Sequence, residues 1–107
     1  MNSTEAIARA ILAVPEGKVA SYARIASEAG ISRGARQVAR VLHSSSGKRD
    51  LPWWRIVRSS GEIALSPEAG GSLQKELLLR EGVAFRSNWV VDLKRCGDYQ
   101  TPAGERE

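Results

Sequence analysis

The chain has 107 residues and a mass of 11.6 kDa, room for one domain around one core and too little for two. It is 42% hydrophobic and 26% charged, and no apolar run approaches the roughly 20 residues of a membrane-spanning helix. The lone Cys96 excludes an internal disulfide framework and fits a reducing cytoplasm, and with the lone His43 it gives no reason to expect a metal site or cofactor.

The net charge of +4 is unevenly spread. From Lys18 to Arg58 nine basic residues face only Glu28 and Asp50, a net of +7, whereas the remainder nets −3. In a small folded domain such asymmetry favours a polyanion on one side, against the plainer reading of a solvated basic surface.

The first helix is expected to start at Asn2, a candidate cap, with Ala6, Ile7, Ala10, Ile11 and Val14 on one face. Glu5 and Arg9 interrupt these apolar residues and argue against a signal peptide. Pro15-Glu16-Gly17 ends the helix, and Lys18-Val19-Ala20 is extended. Ser21 is a good N-cap for a second helix over 22–29, stopped by Gly30. A third helix is expected over 33–44. Two short helices joined by a Gly-containing turn make a helix-turn-helix candidate. On the third helix Ala35, Val38 and Leu42 point one way, and Arg33, Arg36, Arg40 and His43 the other.

Residues 44–50 (SSSGKRD) read as a loop. A hairpin is expected next, with strands at Ile56-Val57 and Ile63-Ala64-Leu65 and its turn at Ser59-Ser60-Gly61. Residues 66–71 form a second loop, and Ser72 can cap a fourth helix ending near Arg80, with Leu73, Leu77 and Leu78 buried. Short strands are expected over 83–85 and 89–93, with Trp89 in the core. One domain over 1–96 and a frayed tail over 97–107 complete the plan.

At Leu51-Pro52-Trp53-Trp54-Arg55-Ile56-Val57 the sequence resembles the DNA-binding domain of the O6-alkylguanine-DNA alkyltransferases, whose active-site motif is Pro-Cys-His-Arg-Val. Three more segments extend the resemblance over most of the chain. Val14-Pro15-Glu16-Gly17-Lys18-Val19 with Ser21-Tyr22 resembles Ile-Pro-x-Gly-x-Val-x-x-Tyr. Gly34-Ala35-Arg36-Gln37-Val38 resembles Ala-Ala-Arg-x-Val, and Lys75-Glu76-Leu77-Leu78 with Glu81-Gly82-Val83 closes the match. The resemblance implies an α/β fold, mainly helical with a short hairpin, of winged-helix-like type around a helix-turn-helix.

The departure lies at the nucleophile. Alkyl transfer needs a thiolate activated by a neighbouring histidine, but Trp53 stands at the cysteine position and Trp54 at the histidine position. The chain therefore resembles the alkyltransferase-like branch, most of whose members carry Pro-Trp-His-Arg and which binds alkylated DNA without repairing it. That resemblance implies binding to O6-alkylguanine in duplex DNA, extrusion of the lesion, no enzymatic activity, no cofactor, action as a monomer and recruitment of nucleotide excision repair. Arg36 becomes the wedge that fills the vacated stack. Tyr22 crowds the 3′ phosphate of the target nucleotide, and Gly34, Ala35 and Ala39 admit the helix to the minor groove. Trp53, Ile56, Ala69 and Gly70 join Tyr22 around the pocket, with Gly71 beside them. Ser21, Arg33, Arg40 and Ser59 complete the expected DNA contacts, while Pro52, Trp54 and Arg55 hold the motif in shape.

Plainer readings exist. Tyr22 alone would be a packing residue at a helix start, both indoles could be core, and Arg33, Arg40, Lys48 and Arg49 could be solvated charges. His43 reads as a surface residue. A sequence-reading helix-turn-helix regulator explains the basic helix but leaves Pro-Trp-Trp-Arg unexplained. A suicidal alkyltransferase would have to use Cys96.

Overall fold

Ile7 and Ile11 are fully buried on one stripe, and Ala8 joins them. This stripe is the inner face of helix α1, Ser3–Leu12. The computed structural model describes residues 3–96, and the side chains of all of these except 45–49 and 96. The expected cap Asn2 and the tail over 97–107 therefore lie outside the described residues, and Cys96 is described only as the last residue of a helix. After α1 the chain turns at Pro15 and at Gly17, whose φ of 84° a glycine adopts without strain.

Strand β1, Ala20–Ser21, runs directly into helix α2, Tyr22–Glu28. Ser21 makes the change of conformation, because its Oγ accepts the Arg24 amide at 3.0 Å and so caps the helix. Gly30 leaves α2 at φ 79°. Arg33, expected inside the third helix, lies in the turn before it with a left-handed φ of 55°. Gly34 is buried in that turn, where a Cβ would stand 2.6 Å from Ile31 Cγ2 and 3.2 Å from Ala26 Cβ. Its small size thus serves the packing of the turn.

Helix α3 spans Ala35–Arg49, five residues beyond its expected end. The segment expected as a loop continues the helix. Ser44 is satisfied inside it, its hydroxyl donating to the Arg40 carbonyl at 2.9 Å. The chain turns off only at Asp50, φ 53°.

The expected hairpin is corrected. Its turn forms, with the Gly61 amide on the Arg58 carbonyl and the Arg58 amide on the Glu62 carbonyl. Strand β2, Ile56–Val57, however, pairs in parallel with β1, Ala20 opposite Ile56 and Ser21 opposite Val57. The segment after the turn pairs elsewhere. Glu62 bridges Val90, the Ile63 amide donates to the Trp89 carbonyl and the Val91 amide to the Gly61 carbonyl. The antiparallel pair is β3, Phe85–Ser87, with β4, Val90–Val91. A short helix α5, Leu93–Cys96, follows.

Two apolar clusters result. Helices α1, α2 and α3 enclose Ile7, Ile11, Ile25 and Val38 together with Ala20 and Ile56. The second cluster holds Val19, Val57, Ile63, Leu78, Val83 and Val91, with Trp54, Phe85 and Trp89 packed against it. Neighbouring strand residues point to opposite faces, so Ala20 and Ile56 face one cluster and Val19 and Val57 the other. The parallel pair is the partition between them.

Helix α4, Gly71–Arg80, follows a 3-10 turn over Pro67–Ala69. Its start is set by Gly70 at φ 119°, not by Ser72. Its buried face is Gly71, Gln74 and Leu78, whereas Leu73, expected in the core, is 51% exposed. The molecule is a mainly helical α/β domain built on a helix-turn-helix. No helix among the described residues is long and apolar enough to cross a membrane.

Candidate nucleic-acid interface

A cavity of about 340 Å³ lies where α2, α3, the Trp53–Arg55 turn and the start of α4 converge. Tyr22 enters it from the capped start of α2, and Ala39, Leu42 and His43 from α3. Trp53 contributes from the tryptophan motif, Leu65, Ala69 and Gly70 from the loop beyond the turn, and Leu73 and Gln74 from α4. Its volume is at the lower end of the range for small-molecule pockets, and its lining is largely apolar with a few polar groups.

Of the expected pocket residues, the structure brings Tyr22, Trp53, Ala69 and Gly70 together. Ile56 is not with them. It is fully buried in the helical core, because alternation along β2 sends its side chain inward. Sequence reasoning missed Leu42, Leu65, Leu73 and Gln74 and read His43 only as surface, although it is exposed and lines the cavity as well. Leu65 and Leu73 carry a visible signature, being large apolar side chains left 39% and 51% exposed at the cavity's edge.

The outer face of α3 presents Arg36, Ala39, Arg40 and His43 to solvent, while Val38 and Val41 dock it on the core. Ala35 is half-buried, Gly34 is buried, and Arg33 is exposed in the turn ahead of the helix. Ser59 is exposed in the turn after β2. Ser21 is 4% exposed, its Oγ occupied with capping α2. Lys48 and Arg49 lie in the last turn of α3, their side chains outside the described residues. Burial raises the pKa of the Tyr22 phenol, and the positive charge of Arg58 partly opposes the rise. Arg58, which the sequence reading counted only as charge, therefore adds to the positive field around Tyr22.

Trp54 turns away from the cavity. Its ring stands edge-on to that of Trp53, the centroids 5.9 Å apart and the planes at 88°. Its Nε1 donates to Glu81 Oε2 at 2.8 Å. The Arg55 guanidinium donates to the same carboxylate through Nε and Nη2, the latter at 2.7 Å, and through Nη1 to the Val14 carbonyl at 2.9 Å. The Gly17 amide adds a fourth donor group to Glu81. Burial pushes the Glu81 carboxyl up, but the hydrogen bonds from Arg55, Trp54 and Gly17, with the Arg55 charge, outweigh it and hold the pKa below 4.5. Pro52 is buried at the head of the turn. One carboxylate thus ties the end of α1, the tryptophan motif and the end of α4 together.

Comparison with known proteins places these features. Residues 2–83 match the family model of the 6-O-methylguanine DNA methyltransferase DNA-binding domain. A DNA base-flipping protein of Escherichia coli is 40% identical over 87 residues; the match spans 79% of this chain and only 65% of that relative's length. Alkyltransferase-like protein 1 of Schizosaccharomyces pombe is 33% identical over 97 residues, 90% of this chain and 78% of that one. The crystal structure of Schizosaccharomyces pombe Atl1 with damaged DNA containing O6-carboxymethylguanine superposes with a TM-score of 0.82 at 27% identity, covering 92% of this chain and 95% of that one. The Mycobacterium tuberculosis O6-methylguanine methyltransferase superposes at 0.60 and 25% identity, covering 76% of this chain and 48% of the enzyme.

Proposed function

This chain belongs to the 6-O-methylguanine DNA methyltransferase DNA-binding-domain family, and we propose that it binds O6-alkylguanine in duplex DNA, turns the damaged nucleotide out of the stack and holds it without alkyl transfer. The observation that carries the reading is Trp53. It stands at the motif position of the acceptor cysteine and lines a cavity that shares helix α3 with Arg36 and Arg40.

The proposed division of work takes its roles from the family resemblance and is supported by where the structure places the residues. The exposed arginines of α3, with Arg33 and Arg58, attract the phosphate backbone. The outward-facing Ala39 lets α3 approach the groove closely. Arg36 enters the stack as the nucleotide leaves, replacing the lost base contacts with its planar guanidinium. Tyr22, placed by the Ser21 cap at the start of α2, meets the extruded nucleotide at the cavity mouth with a neutral phenol that can donate a hydrogen bond. Trp53 offers the alkyl group an apolar wall, at about 0.8 kcal/mol per buried methylene. The chemistry ends there. An indole has no thiolate to accept an alkyl group, and the carboxylate nearest the motif is committed to Arg55 and Trp54.

Within this reading the chain acts as a cytoplasmic monomer on the nucleoid. The persistent, distorted complex is the signal that damage-recognition proteins of nucleotide excision repair engage.

Titration of a duplex holding one O6-methylguanine, against the same undamaged duplex, tests the function. Tighter binding to the damaged duplex is expected, with an unchanged protein mass after incubation. Equal binding to both, with preference for one DNA sequence, would establish a sequence-reading regulator instead. An alkyl adduct on Cys96 would establish a transferase.

A further inference from the structure

Residues 84–96 follow the span matched by the family model and carry three cations, Arg86, Lys94 and Arg95, against one acid, Asp92. The stretch before them, residues 59–83, is acidic, with four carboxylates against Lys75 and Arg80. Positive charge therefore returns in a part of the chain that the proposed function does not use. The fold brings it back beside the interface. The Val91 amide donates to the Gly61 carbonyl at 2.9 Å. A Cβ on Gly61 would stand 2.6 Å from the Val91 carbonyl oxygen and 3.2 Å from Leu93 Cγ. Gly61 closes the turn that begins at Arg58, its amide donating to the Arg58 carbonyl at 2.7 Å. Helix α5 is thus seated against the turn that carries Arg58 and Ser59, and Arg58 is near enough to Tyr22 for its charge to act on the phenol.

The acids of this corner leave the cations of α5 open. Asp92 turns its carboxylate to the backbone, Oδ1 accepting the Lys94 amide at 3.1 Å. Glu62 is exposed beside the turn, and Lys94 and Arg95 are exposed on α5. No ion pair engages any of the three among the described residues.

We propose that Lys94 and Arg95 continue the DNA-binding surface past Arg58, holding phosphates to the side of the lesion with a segment outside the matched domain. The inference rests on the function proposed above and adds how far the footprint reaches. A duplex carries one negative charge per roughly 1.7 Å of its axis, so a protein that seats one nucleotide at Tyr22 meets further phosphates with whatever lies alongside. Arg58 and then α5 lie alongside, with the matching charge. An acidic protein surface would also suit two cations, but continuity with Arg58 and Tyr22 favours DNA. Phosphate contacts carry no base information. They strengthen damaged and undamaged complexes alike and leave lesion preference to the cavity.

The test measures affinity against salt on a duplex of about 24 base pairs, roughly 80 Å at 3.4 Å per pair, with and without one central O6-methylguanine. Such a duplex runs well past a molecule 37 Å in its longest dimension. Lys94→Ala/Arg95→Ala should lower the slope of log K against log salt by about 2 on both duplexes, with the ratio of their affinities unchanged. Arg9→Ala/Arg80→Ala removes the same charge from α1 and α4 and should leave the slope in place. Lys94→Glu/Arg95→Glu should weaken binding more than the alanine pair. Both side chains are exposed, so the urea midpoint should stay where it is; should the alanine pair fail to fold, Lys94→Gln/Arg95→Gln gives the same reading. A slope unchanged by the α5 variants would overturn the inference and leave this corner to an acidic protein partner. A slope lowered equally by the charge-matched control would overturn it as well. Failure of the chain to prefer the O6-methylguanine duplex would instead overturn the function itself, whatever the slopes.

Discussion

Two adjacent indoles lead into two unlike regions. Behind Trp54 lies a junction in which Glu81 takes hydrogen bonds from Trp54, Arg55 and Gly17, while Arg55 also reaches the Val14 carbonyl. In front of Trp53 lie the cavity and the outer face of α3, where Arg36 and Arg40 have no carboxylate partner among the described residues. The first region satisfies its polar groups internally and so holds the chain together. The second leaves cations and an apolar wall for something outside the molecule. The proposed function uses the region where the fold leaves groups unsatisfied, one residue from a junction that satisfies its own.

Disrupting the junction should give the largest effect. Glu81→Ala leaves Arg55 charged and largely buried and removes the acceptor of Trp54, so the unfolding free energy measured in urea should fall by about 3–5 kcal/mol. On the open face, Arg36→Ala should leave the urea midpoint in place. It should weaken the flipped complex by about 2 kcal/mol on damaged and undamaged duplex alike, read by 2-aminopurine fluorescence beside the target base. Trp53→Ala should be more selective, removing about 1–2 kcal/mol of preference for O6-methylguanine while binding to undamaged duplex changes little in paired titrations.

The smallest effect is in acid. The Glu81 carboxyl is held below 4.5 in the folded chain, so the unfolded chain binds more protons as the pH drops through that region. The stabilisation from the junction is complete above 4.5 and is lost as the pH falls through the lowered folded value. Melting temperatures followed from neutral pH to about pH 3 should fall for the wild-type chain and run flatter for Glu81→Gln.

Much of this was legible before any coordinates. Ser21 as a cap and Gly30 as a stop are local signals that lie at their expected places, and the two-sidedness of the third helix holds although the helix starts two residues later and ends five residues later than expected. What escaped was long-range. Strand β2 is two residues long and carries no periodicity, so nothing local could assign it to Ala20–Ser21, 36 positions upstream, in place of the apolar run after the turn. Gln74 escaped because apolar periodicity nominates leucines. Leu73 was chosen for the core, and the polar residue beside it, four positions before Leu78, takes the buried place. The motif brought Tyr22, Trp53, Ala69 and Gly70 to the cavity, yet its Ile56 belongs to the core.

The two-residue ladder between β1 and β2 bears on what the cavity can become. Tyr22 is the residue immediately after β1, and Trp53 begins the turn that ends in β2. The spacing of the two walls is therefore gauged by main-chain pairing between Ala20–Ser21 and Ile56–Val57, with a core cluster on either side. A receptacle whose width is set by the backbone can be relined without being rebuilt. Substitutions at Leu65, Leu73 or Trp53 change the shape and polarity an adduct meets, while the frame that presents them keeps its dimensions. If the proposed function holds, lesion preference in this scaffold can drift, or be engineered, separately from the stability of the domain.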